Sequence, residues 1–120
     1  VGELADKITI LEIKKMKILD KKKLKKIINE LIFLNDILKN EVKLDNLIKK
    51  EISAIKKINL KLWDIEDGKR NCEKNKDFGS IFIKLARNVY ILNDKRAKIK
   101  FKINSLSGSD IVEVKSYDKY

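Results

Sequence analysis

The sequence predicts an all-α protein: an antiparallel helical hairpin bundle of about four helices with a short extended C-terminal tail. Three observations carry this. The 120 residues include no proline and only four glycines, so little interrupts a helix. Apolar residues recur at three- and four-residue spacing through most of the chain. Cap residues and one clear break, "NKDFGS", divide that pattern into segments. A single domain over residues 1–120 is expected, long enough for one core.

The first helix is expected over about 2–19. Leu4, Ile8, Leu11 and Ile18 share one face, while Ile10, Ile13 and Met16 fall on others. A helix apolar over most of its circumference is covered by other helices or by a second subunit. Asp20 suits the N-cap of a second helix over about 21–40, whose apolar face runs from Leu24 to Leu38. Asp45 suits the cap of a third, over about 45–75, and a fourth is expected over about 80–104. The last two would reach about 40 Å at 1.5 Å per residue and pair as a hairpin, with the first two packed alongside. "SLSGSD" ends the fourth helix, and alternation in "IVEVKSY" marks an extended tail over about 111–117.

Composition narrows the function. No apolar run approaches the roughly 20 residues of a membrane span. Glu3 and Asp6 stand where a secretory leader would carry basic residues, so no leader is read here. The single Cys72 cannot form an intramolecular disulfide, and a reducing, cytoplasmic location is expected. Without histidine, a His-based catalytic triad and a His/Cys zinc site are both excluded. No glycine-rich phosphate loop is present, and no cofactor is expected. The formal charge of +11 comes from a lysine excess that fits solvated helix faces, so only weak, non-specific nucleic-acid binding is expected.

Two stripes carry the sharper signal. Ile48, Ile52 and Ile55 begin an inward line on the third helix, and Asn59, Trp63, Glu66, Arg70 and Glu73 continue it. On the fourth, Phe82, Leu85, Ala86 and Val89 give way to Asn93, Arg96 and Lys100. Folding the hairpin about its turn brings Asn59 level with Arg96, and Trp63 level with Asn93. Buried polar groups need partners, so something polar lies between the helices at that depth. Glu12, flanked by apolar positions of the first helix, is a further carboxylate for this site. Arg70, Arg87 and Arg96 are the only arginines among many lysines, and their planar forks suit a carboxylate or phosphate.

The candidate ligand-binding residues are therefore Glu12, Asn59, Trp63, Glu66, Arg70, Asn93, Arg96 and Lys100. Two readings stay open. In one, Glu66 or Glu12 is the anion that Arg96 meets and the cluster is structural. In the other, a ligand supplies that anion. A magnesium site from Glu66, Asp67, Glu73 and Asp94 is poorly supported, because Glu66 and Glu73 are seven residues apart rather than one turn. No metal is expected.

Four blocks, "GELADKITILEIK", "INLKLWDIEDGKR", "FIKLARNVYILNDKRAKIKFKIN" and "GSDIVEVKSY", resemble a family of short bacterial and phage proteins with a domain of unknown function. The matching positions include Glu3, Asp6, Lys7, Glu12, Trp63, Glu66, Asp67, Arg70, Arg87, Tyr90, Asn93, Asp94, Arg96, Lys100, Glu113, Lys115 and Tyr117, whereas Gly68, Lys69 and Val114 depart from the pattern. The resemblance implies a link to surface-polysaccharide and glycosyltransferase genes and assigns no catalytic residue. The expected function is an accessory or binding protein that holds an anionic small molecule or partner between helices. The alternatives are a small enzyme for a phosphorylated or carboxylated metabolite, or a nucleic-acid binder. Whether the protein is an enzyme is left open. Apolar surface on several faces is compatible with a homodimer.

Overall fold

The first helix has two buried sides, and they organise everything else. At about 100° per residue, Gly2, Ala5, Asp6, Thr9 and Ile13 share one side, while Ile8 and Leu11 lie nearly opposite. A computed structural model describes residues 1–108 and contains four helices: α1 (Gly2–Lys17), α2 (Lys21–Glu41), α3 (Asn46–Lys74) and α4 (Ser80–Leu106). The described residues form an all-α bundle without strands; the expected tail over 111–117 lies outside them.

On one side, Ile8 and Leu11 join Ile27, Leu31, Leu34 and Leu38 of α2 in an apolar cluster. On the other, the small residues of α1 let its backbone close on the α3–α4 hairpin. Gly2 shows how closely: its amide donates to Asn104 Oδ1 at 2.6 Å, and a Cβ there would collide with the Lys100 carbonyl. Among the described helices, α1 alone packs against all three others. This differs from the expectation that the first two helices would both lie against the hairpin. The leucine face of α2 packs mainly on α1, with Ile52 of α3 against the edge of the same cluster, and α2 approaches no other described helix backbone.

The caps follow local chemistry. Asp20 accepts from the Lys22 and Lys23 amides at 2.9 and 3.3 Å, and Asp45 accepts from Ile48 at 2.9 Å, satisfying donors that a helix start leaves free. The hairpin turn closes with Asp77 N–H donating to the Cys72 carbonyl at 2.8 Å and Lys76 N–H to Glu73 at 3.1 Å. That pattern needs a left-handed residue between helix and turn, and Lys76 occupies it at φ 51°. Phe78 in the turn packs edge to face on Phe82 in the first turn of α4 at 5.5 Å.

The hairpin is antiparallel and in register. Glu51 pairs with Lys102 at 2.9 Å near its base, and Gly68 lies against Leu85 towards its tip. Ile48, Ile55 and Ile103 are almost wholly buried. Towards the tip, Trp63, Leu85, Val89 and Leu92 are only half-buried. The site described next lies at that change in burial.

Candidate functional site: a buried Asp6–Arg96 pair beside an open cleft

Asp6 is the centre of the polar cluster. It is 3% exposed, and its carboxylate meets the Arg96 guanidinium in a two-pronged contact, Nε to Oδ1 at 2.8 Å and Nη2 to Oδ2. Asn59 Nδ2 donates to the same Oδ1 at 2.8 Å and to Thr9 Oγ1 at 2.9 Å. Thr9 in turn donates to the Asp6 carbonyl at 2.8 Å, so every member of this buried network has a partner. Three helices contribute: α1 supplies the acid, α3 the amide and α4 the base.

The electrostatics favour the charged pair. Burial alone pushes the Asp6 carboxyl up, but hydrogen bonds from Arg96 and Asn59, with the charges of Arg96 and Lys100, outweigh it. The carboxyl is held below its ordinary value. The hydrogen bond to Asp6 in turn raises Arg96 above its ordinary value, against the cost of burial.

The anion that Arg96 meets is therefore neither Glu66 nor Glu12. Glu12 lies elsewhere, paired with Lys56 at 2.9 Å in a groove shared by α1, α2 and α3. Glu66 is exposed and pairs with Lys69 of its own helix at 3.6 Å. Lys100, one turn from Arg96, pairs with Glu3 at 2.5 Å. Asn93 Oδ1 stands 3.5 Å from the remaining Arg96 nitrogen and is solvent-exposed.

Beside the network opens a cleft of about 220 Å³ between α1, α3 and α4. Ile10, Ile13, Leu62 and Trp63 give it an apolar wall, and Asn59, Glu66, Asp67, Arg70 and Arg96 give it polar edges. Five of the eight candidate residues thus line one cleft. Glu12, Asn93 and Lys100 do not. The side chains of Arg70 and Asp67 make no ion pair or hydrogen bond among the described residues. No three of His, Cys, Asp and Glu gather to hold a metal ion among the described residues.

The sequence alone gives Asp6 no place in the site. The signal for one was present: Gly2, Ala5 and Thr9 mark a small-residue side of α1, and Asp6 lies beside Gly2 on it. The larger apolar residues drew attention to the opposite side.

The sequence model of a family of unknown function, DUF6165, matches residues 1–120. The chain belongs to the DUF6165 family. The match spans all three helices that build the Asp6–Arg96 network, so in this family member the network and cleft lie within the shared domain. No curated protein and no solved structure matches the chain.

Proposed function

We propose that the protein is a small-molecule binding protein and that the cleft beside Asp6 and Arg96 receives an anionic, hydroxyl-bearing ligand such as a sugar phosphate. One observation carries this reading: Arg70 is a cation without a partner among the described residues, at the edge of a cleft walled by Trp63. Arg96 is committed to Asp6, so Arg70 is the group left to take an anion. A guanidinium binds phosphate or carboxylate through two parallel hydrogen bonds. Asp67 and Glu66 on the same edge suit hydroxyl donors, and the Trp63 ring offers a face for a sugar. A volume of 220 Å³ is below the usual range of about 300–1,000 Å³ for drug-sized ligands, which favours a single ring. The implied link to glycan assembly agrees with this ligand class. The reading takes the protein to act in the cytoplasm, where Cys72 stays reduced.

The test is thermal unfolding with inorganic phosphate, glucose and glucose 1-phosphate. Glucose 1-phosphate should raise the melting temperature of the wild type most. Arg70→Ala should abolish that rise and leave the ligand-free melting temperature nearly unchanged, because Arg70 is exposed. Trp63→Ala should abolish it too, from a lower ligand-free melting temperature, because part of a half-buried ring is lost. An identical melting temperature across the panel would remove the reading.

A further inference from the structure

α4 turns one side to α1 and α3, and its opposite side is unlike an ordinary solvated face. Ile83, Tyr90, Ile91 and Phe101 there are 56, 66, 45 and 55% exposed. Ile83, Tyr90 and Ile91, with Arg87, border a shallow depression on the outer surface. The helix carries seven cations against one acid, Asp94. Arg96, Lys100 and Lys102 are paired with Asp6, Glu3 and Glu51. The other four, Lys84, Arg87, Lys95 and Lys98, are exposed and make no ion pair among the described residues. By helical rotation these four and the exposed apolar residues fall on the half of α4 away from Arg96.

We propose that this outer face of α4 docks in the plane of an anionic lipid bilayer. Large apolar side chains beside a row of cations are the combination that lets a helix lie in a membrane interface without crossing it. The apolar groups enter the headgroup boundary while Lys84, Arg87, Lys95 and Lys98 meet lipid phosphates. A helix of 27 residues presents a straight edge of about 40 Å to that plane. A second copy of this chain fits the face poorly: antiparallel pairing of two such helices would set cation against cation, with Asp94 the only acid on each α4. Nucleic acid would be met by the cations but would leave Ile83, Ile91 and Phe101 in water. The docking proposed is peripheral: none of the described helices is long and apolar enough to cross a membrane.

The experiment is co-sedimentation of the protein with vesicles of phosphatidylcholine alone and of equimolar phosphatidylcholine and phosphatidylglycerol. Strong partitioning is expected only onto the mixed vesicles, reversed by high salt. Each of Lys84→Gln, Arg87→Gln and Lys98→Gln should weaken it about fivefold. Ile83→Ser and Phe101→Ser should each weaken it about tenfold. These side chains are exposed, and unchanged melting curves would show that the variants fold. Absence of binding, equal binding to both vesicle types, or indifference to the apolar substitutions would overturn the proposal. So would tighter binding to duplex DNA than to the mixed vesicles at the same salt, because it would assign the cations to a nucleic acid.

Discussion

Asp6 and Arg96, ninety residues apart, join the first and last described helices through two parallel hydrogen bonds. Asp6 is fully enclosed, whereas the Arg96 side chain keeps 27% of its surface in solvent. The two partners therefore differ in what their loss strands. Arg96→Ala leaves a buried carboxylate without its cation and should destabilise the ligand-free protein by about 3–5 kcal/mol. Arg96→Lys retains the charge and loses the fork, so it should fall between wild type and Arg96→Ala. Urea unfolding of the three proteins measures this. Equal midpoints would show that the pair contributes nothing to stability.

Acid should find the same pair. The Asp6 carboxyl is held below its ordinary value in the folded protein, so its stabilising contribution is fully present above the unfolded-state value of about 3.9. It is lost as pH falls through the lower folded-state value. The stability gap between wild type and Asp6→Asn should be constant from neutral pH to about pH 4 and then close below it. A gap that closes near neutrality would assign the titration to another group.

Gly2 is a packing requirement. A methyl group there would stand 2.9 Å from Asn104 Oδ1 and closer still to the Lys100 carbonyl, a backbone atom that cannot step aside. Gly2→Ala should cost about 1–3 kcal/mol, as overpacked sites do, despite alanine's better helix propensity. A melting temperature equal to or above wild type would contradict the close approach of α1 and α4.

Lys76 gives a prediction of opposite sign. It holds φ 51° at the end of α3, a conformation that costs a residue with a Cβ about 1 kcal/mol. Its side chain is exposed and unpaired among the described residues. Lys76→Gly should therefore stabilise the protein by about 0.5–1 kcal/mol, less than the full strain because glycine loses more chain entropy on folding. Chemical denaturation checks it, and a loss of stability would show that the lysine side chain contributes more than the backbone strain costs.

The helices and their hairpin were legible because periodicity and caps are local signals, and Asp20, Asp45 and "NKDFGS" sit where those signals place boundaries. The polar switch on α3 and α4 was legible for the same reason: Asn59 and Arg96 interrupt lines of isoleucine and valine. Their shared partner was not. Asp6 is two positions from Ile8 and looks like an ordinary helix-start acid until the small residues around it are read as a contact surface. Glu12 misled in the other direction. Its apolar neighbours suggested burial, but it rests at the edge of a groove where Lys56 can reach it. Which carboxylate meets which arginine depends on how α1 crosses the hairpin, and helical spacing within one segment carries no information on that crossing. The left-handed turn at Lys76 was hidden because lysine gives no conformational signal.

The position of α1 between α2 and the hairpin has a consequence for how the molecule opens. Because α2 comes close to no backbone but that of α1 among the described helices, and meets the hairpin no nearer than Ile52 beside the leucine cluster, it should detach without disturbing Asp6, Asn59 or Arg96. Backbone amides of α2 should then exchange with deuterium through a low-energy partial opening, while those around Ile55 and Ile103 wait for the whole chain to unfold. Two protection levels should separate along the sequence near Val42, the last buried residue before α3 begins.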